Sequence, residues 1–245
     1  MVPSSPAPDQ PDGSPAGGGR GLVSRLLPPA IRLWLHAQLD HLEDLDFRIE
    51  GRDRQILSGY LPQVSLSASQ AVYQGLRVSR AEVRAEEIYL NLGQVIRGKA
   101  LRLLQPFPVR GLVYLNREDL RASLQAPLLA QGLGEVLGQL GQSLPPASAV
   151  RDLTLGEGWL GVTWGDLETP DQQLRLRTGL GMREQRWLAL DQPTVTTGQP
   201  GQWSPPQVLA DLTLDLGPAT AIDHFSVTPD HIEIGGVVRV IPAAA

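Results

Sequence analysis

The feature that most constrains this chain is a two-residue alternation of apolar and polar side chains. A period of two places alternate side chains on opposite faces of a strand, so each such segment predicts a strand with one buried face. In the first half of the chain the alternating apolar positions are Phe47, Ile49, Val64, Leu66, Ala68, Leu76, Val78, Ile88, Leu90, Leu92, Val109, Val113 and Leu115. Glycines separate these segments, which favours short turns and an antiparallel meander.

The strand pattern returns in the C-terminal half. Further strands are predicted at residues 150–155, 159–164, 173–180, 185–190, 208–216, 224–228 and 232–241. A polar segment rich in Pro and Gly, residues 192–206, is predicted to be a loop.

Two segments have helical periodicity instead. In residues 22–43, apolar side chains recur at steps of three and four after the Pro28-Pro29 pair. A second helix is predicted over residues 116–140, with a kink or restart at Pro127. The order is helix, meander, helix, meander, with no strand–helix–strand alternation, and this predicts an α+β fold.

The 245 residues are predicted to form one domain, residues 22–245, after a disordered tail rich in Pro and Gly, residues 1–21. The sequence has neither an apolar run of about 18 residues nor the basic start and apolar core of a secretory signal. We therefore expect a cytoplasmic location, free or peripheral at a membrane.

Charge is unevenly distributed along the chain. The net charge is −5, yet residues 75–121 carry nine basic and five acidic residues. That segment is therefore +4 and the remainder −9. A basic surface on an acidic protein indicates an anionic partner that meets one face, although ordinary solvated strand faces give the same pattern.

The segment NLGQVIRGKA, residues 91–100, contains the spacing G-x-x-x-x-G-K of a phosphate-binding loop and the chain's only lysine. The position that needs a Ser or Thr hydroxyl for magnesium is Ala100, and Pro106 prevents the long helix that should follow. These departures argue against a nucleotide hydrolase and favour a short turn between a strand and a segment that ends at Pro106. Cysteine is absent, and the two adjacent carboxylates Glu86 and Glu87 are expected on opposite faces of a strand. The sequence thus predicts a protein that is not an enzyme, with neither cofactor nor metal.

Three motifs resemble the LmeA-like phospholipid-binding family. They are G-x-L-P-x-V-x-L-x-A at residues 59–68, the GK-x-L turn at residues 98–101, and V-x-G-x-V-x-L-x-x-x-D-L at residues 109–120. The resemblance implies an elongated, curved antiparallel sheet wrapped around long helices, as in tubular lipid-binding proteins, with an apolar cavity for acyl chains. Family members with known roles are exported envelope proteins that bind phosphoinositides or similar anionic lipids, and this chain departs from them in lacking an export signal.

The function implied is non-enzymatic binding or shuttling of an anionic phospholipid at a membrane surface. The side chains expected to line the cavity are Leu66, Leu76, Val78, Ile88, Leu90, Leu92, Val113, Leu115, Leu120, Leu124 and Leu133. Three cations, Arg97, Lys99 and Arg102, are expected to form a basic lip that contacts the headgroup or the membrane. No nucleic-acid partner is expected, and the oligomeric state is left open. The alternative is a structural or protein-interaction module with a solid core and no ligand, and an enzyme acting on lipid or glycan is a third class.

Overall fold

The structure, a computed structural model, describes residues 40–95, 97–142, 148–166 and 173–242. Its strands are β1 (His41–Glu50), β2 (Tyr60–Tyr73), β3 (Leu76–Tyr89), β4 (Phe107–Asn116), β5 (Ser148–Gly156), β6 (Trp159–Asp166), β7 (Gln173–Arg183), β8 (Trp187–Gln199), β9 (Gln202–Trp203), β10 (Gln207–Val208), β11 (Leu212–Asp215), β12 (Thr220–Val227) and β13 (His231–Val240). Its helices are α1 (Asp53–Leu57), α2 (Leu92–Val95), α3 (Arg117–Ala122) and α4 (Pro127–Gln139). The strands form two antiparallel sheets.

The first sheet has six strands in the order β1-β2-β3-β4-β13-β12. Its longest hairpin joins β2 to β3 through Gln74 and Gly75, which have φ angles of 48° and 78°. Two residues with positive φ form a type I′ turn, whose twist matches that of the strands it connects. A Cβ at Gly75 would also lie in tight contact, 3.1 Å from the Cβ of Ala126.

The last hairpin of the chain completes this sheet. Strand β13 pairs with β4 along its whole length, from His231 opposite Asn116 to Val240 opposite Phe107. The first sheet therefore combines the first meander with the C-terminal residues, and the second sheet is inserted between them along the chain.

The second sheet has seven strands, with the path β10-β8-β7-β6-β5 and with β9 and β11 also paired to β8. Helix α4 packs on it through Leu133 and Leu137, which contact buried side chains such as Trp164. Leu137 and Trp164 are only 1% and 2% exposed, so this face of the sheet is a filled core.

A separate apolar cluster joins the two sheets. It contains Leu115 and Leu120 from the first sheet and α3, together with Leu153 and Leu155 from β5. Two polar contacts reinforce it: the Nε of Arg121 donates to the carbonyl of Leu153 at 3.2 Å, and the amide of Gly158 donates to the carbonyl of Val227 at 2.9 Å.

The prediction of long helices enclosed by the sheet is wrong for the described residues. The second predicted helix is two pieces, α3 and α4, which separate at residues 123–126 and restart at Pro127. The first predicted helix falls mostly on residues 22–39, outside the described residues, as does the predicted tail. Its last residues belong to β1, which begins at His41, because alternation there outweighs the helical spacing.

The predicted loop at residues 192–206 is also partly wrong, because β8 continues to Gln199. Pro193 lies inside this strand, fully buried, beside a register shift between β7 and β8. A bulge is one of the few places where a strand tolerates proline. The Pro193 carbonyl is satisfied by the amide of Leu209 at 2.8 Å.

Candidate functional site

The two faces of the first sheet differ in chemistry. On one face, Phe47, Leu66 and Val83 lie opposite one another across β1, β2 and β3, and the next row contains Val64, Ala85 and Val109. Because directly opposite residues share a face, these rows form one continuous apolar surface.

The opposite face carries charge. Across β1 to β4, the directly opposite residues on this face are Arg48, Ser65, Arg84 and Arg110. They line a groove of about 670 Å³, which we term the charged groove. The groove is lined by Asp46, Arg48, Glu50, Ser65, Leu66, Ser67, Arg80, Glu82, Val83, Arg84, Arg110, Gly111, Leu112, Asp223, His224, Gly235 and Gly236. Its arginines are paired with acidic neighbours: for example, Arg110 contacts Asp223 at 2.7 Å. The hydrogen bond from Arg110 holds the pKa of Asp223 below its usual value.

The alternation of β2 and β3 is interrupted where Pro62 lies opposite Glu87. Glu87 has a φ of 56°, which places it in the left-handed region. Leu61 and Ile88, just past this interruption, face the same cavity as Val64 does. The expectation that Glu86 and Glu87 point to opposite faces is therefore wrong, because both are exposed and border one surface depression.

A cavity of about 270 Å³ lies on the apolar face. All of its lining residues are apolar: Phe47, Leu61, Val64, Leu66, Val83, Ala85, Ile88, Leu90, Leu101, Leu103, Phe107, Val109 and Val240. Leu61, Leu90 and Phe107 are 1%, 5% and 7% exposed, so this part of the wall is buried. A cavity with this lining suits a hydrocarbon chain and offers nothing to a polar ligand.

The segment between α2 and β4 closes one side of the cavity through Leu101 and Leu103. Asn91, only 6% exposed, holds this segment in place. Its side-chain amide donates to the carbonyl of Ala100 at 2.9 Å, and its side-chain oxygen accepts from the amide of Arg102 at 2.7 Å. Leu90 and Leu103 also form an isolated antiparallel bridge.

Gly59 contacts the backbone of Leu90, the residue that bridges to Leu103. It has a φ of 88°, and its carbonyl accepts a hydrogen bond of 2.8 Å from the amide of Leu90. A Cβ at Gly59 would collide with the Leu90 carbonyl oxygen, so only glycine allows this approach.

The basic lip lies on the outer side of this segment. Arg97, Lys99 and Arg102 are all exposed, whereas Leu101, next to Arg102, faces the cavity. In the part of the chain that the structure describes, none of the three forms an ion pair, unlike the arginines of the charged groove. Two exposed apolar side chains, Leu104 (56%) and Ile241 (67%), directly follow the cavity-lining residues Leu103 and Val240.

The eleven predicted cavity residues occupy four different places. Leu66, Ile88 and Leu90 lie in the cavity wall, and Leu92 is buried in the cluster beside it. The residues Leu76, Val78, Val113, Leu115, Leu120 and Leu124 belong to the cluster between the sheets. Leu133 packs against the second sheet.

Sequence reasoning missed several wall residues. Val83 and Ala85 alternate with Arg84 in β3, so the period-two pattern could have identified them. Val240 is near the cavity only because β13 pairs with β4, and no local pattern indicates that pairing. Asn91, which holds the closing segment, resembled an ordinary polar position of an alternating strand.

No helix within the described ranges is long and apolar enough to cross a membrane. A search of the same ranges for three or more metal-ligating side chains in one group finds none.

Comparison with protein families gives one match over most of the chain. The model of a family described as LmeA-like phospholipid-binding matches residues 18–237. Comparison with curated proteins and with solved structures gives no match.

Proposed function

The chain belongs to the LmeA-like phospholipid-binding family, and from this premise we propose that it binds an anionic phospholipid without chemical conversion. An acyl chain enters the cavity of the first sheet, and the phosphate lies at the basic lip. The observation that carries the proposal is the wholly apolar cavity next to a segment with three exposed cations, none of which is ion-paired to another described residue.

Lys99 and Arg102 are close enough to the cavity along the chain to act on the same lipid. Lys99 and Arg102 are within two residues of Leu101, which faces the cavity. Two residues of extended chain span about 7 Å, a distance that long basic side chains also cover. No acidic residue occurs between Leu92 and Arg117, so this region has no internal counter-charge in sequence.

The magnitudes support a role for the headgroup. Burial of a methylene contributes about 0.8 kcal/mol, so a chain segment that fills the cavity gains roughly 7 kcal/mol. Association itself costs about 4–15 kcal/mol in translational and rotational freedom. Chain burial alone therefore gives weak binding, and attraction of the phosphate or membrane to the lip has to supply the remainder.

We further propose that the protein works at a membrane surface as one domain. The exposed side chains Leu104 and Ile241 support contact with a bilayer, because they extend the apolar wall outward beside the lip. The apolar cluster shared by both sheets supports a single folding unit.

Native mass spectrometry tests the proposal. The purified full chain is incubated with phosphatidylglycerol or phosphatidylcholine vesicles, and the bound lipid is measured on the protein and in vesicle flotation. We expect more of the protein to float with phosphatidylglycerol vesicles than with phosphatidylcholine vesicles. If the protein neither carries lipid nor associates with either vesicle, the proposal is refuted.

The charged groove favours a second candidate, a protein-interaction module without a lipid ligand. Its opposite charges, such as those of Arg80 and Glu82 at 2.5 Å, suit a polar protein surface. Under this function the cavity is only a packing defect, and changes in its wall alter stability without altering lipid association.

A further inference from the structure

The cavity is small in comparison with a whole lipid. A methylene occupies about 30 Å³, similar to a water molecule in the liquid. An acyl chain of sixteen carbons therefore needs about 500 Å³, and a diacyl lipid needs about twice that volume. The cavity has about 270 Å³.

We infer that the cavity takes one acyl chain only and buries about nine of its methylenes. This inference rests on the proposed function and names its ligand class: a single-chain anionic amphiphile, or one chain of a diacyl lipid whose second chain stays in the bilayer. The apolar side chains that line the cavity support a hydrocarbon segment, because a headgroup among them would lack hydrogen-bond partners.

Two positions set the length of chain that fits. Ala85 lies in the central row of the wall between Val64 and Val109, where its small side chain leaves space. Leu66 lies one row further along, opposite Phe47 and Val83. A change in side-chain size at either position changes the volume available without introducing charge.

A chain-length series measures the depth of the cavity. The full chain is titrated calorimetrically with n-alkyl phosphates of six to fourteen carbons, each below its micelle concentration. Affinity should rise about fourfold per added methylene and then level off near nine carbons. A rise that continues to fourteen carbons overturns the single-chain limit and leaves the proposed function standing.

Absence of binding by every alkyl phosphate also overturns the inference. If the protein also fails to float with phosphatidylglycerol vesicles, the proposed function is refuted as well. If it floats with them, only the inference is lost.

Variants move the plateau in opposite directions. Ala85→Leu adds three carbons, about 90 Å³, and should shift the plateau to chains about three carbons shorter. Leu66→Ala removes the same volume and should shift it to longer chains, so the inference stays testable if Ala85→Leu fails to fold. Ser65→Leu adds an apolar side chain on the charged face and should leave the plateau unchanged. A plateau that neither Ala85→Leu nor Leu66→Ala moves contradicts the inference.

A second experiment distinguishes a single-chain lipid from one acyl chain of a diacyl lipid as the ligand. The protein is mixed with lysophosphatidylglycerol, or with phosphatidylglycerol vesicles that are then removed by centrifugation. We expect a soluble one-to-one complex with the lysolipid and none with the diacyl lipid. Recovery of a soluble one-to-one complex with the diacyl lipid overturns the inference, since its second chain would then have to be buried as well.

Discussion

Replacement of Asn91 by alanine should release the segment that closes the cavity. The side chain of Asn91 is 6% exposed and makes two well-formed hydrogen bonds, of 2.9 Å to Ala100 and 2.7 Å to Arg102. Each contributes about 1 kcal/mol net, and truncation also leaves their partners less well satisfied. We therefore expect Asn91→Ala to lower the free energy of unfolding by about 2–3 kcal/mol.

The chain's only lysine gives a direct assay of this opening. Lys99 lies within the closing segment, so a lysine-specific protease cuts the chain only after this residue. Cleavage requires local opening of several residues, and its rate follows the population of the open form when closing is fast. If the whole loss of about 2–3 kcal/mol destabilises the closed form of the segment relative to the open form, cleavage should become about 30- to 150-fold faster. The Tm should fall by roughly 5–10 °C.

The matched control is Gln94→Ala. The Gln94 side chain contacts Asn91 only at 3.4 Å, so its removal should change the cleavage rate by less than about threefold. An Asn91→Ala protein that is cleaved and melts as the wild type does would refute the assignment of Asn91 as the residue that holds the segment.

The remaining predictions concern the cavity wall, two exposed apolar side chains beside it, the basic lip and one ion pair. Leu90→Asp, which buries an unpaired charge, should destabilise by about 3–5 kcal/mol in denaturant titrations; an unchanged midpoint would show that Leu90 is not buried. Leu104→Asp combined with Ile241→Asp should reduce flotation with vesicles at all salt concentrations, and full recovery would show that these two side chains do not contact the membrane. Conversion of the three lip cations to Gln should weaken flotation with anionic vesicles about 100-fold at low salt, whereas conversion of three arginines of the charged groove should not; equal effects would exclude the lip. The hydrogen bond from Arg186 lowers the pKa of Asp215, so the pair stabilises above the ordinary pKa of Asp and ceases to do so as the pH falls through the lowered value. Asp215→Asn should then lower the Tm at neutral pH and not in strong acid.

The first sheet was largely predictable because its signal is local. Alternation such as that of Val64 and Leu66 in β2 is written in consecutive residues, and one buried face fixes the strand register. The same pattern placed Leu66, Ile88 and Leu90 on the apolar face, where they lie in the cavity wall.

The features that the sequence did not predict depend on contacts between residues that are distant along the chain. The pairing of β13 with β4 brings Val240 to Phe107 across more than a hundred residues, and periodicity contains no information about such partners. Glu87 adopts a positive φ opposite Pro62, and this interruption reverses the facing of the residues beyond it. Strict alternation therefore failed at Glu86 and Glu87.

The difference between a filled core and a cavity was also beyond the sequence pattern, because both need inward-facing apolar side chains. Leu120 and Leu124 pack in the cluster between the sheets, where α3 covers the strands. Among the described residues, Ala85 lines the cavity together with Leu101 and Leu103 of the closing segment, and its side chain is small. The cavity therefore results from the meeting of a short side chain with a segment that Asn91 holds at a fixed distance. We therefore expect Ala85→Leu to fill about a third of the space and Asn91→Ala to loosen its wall.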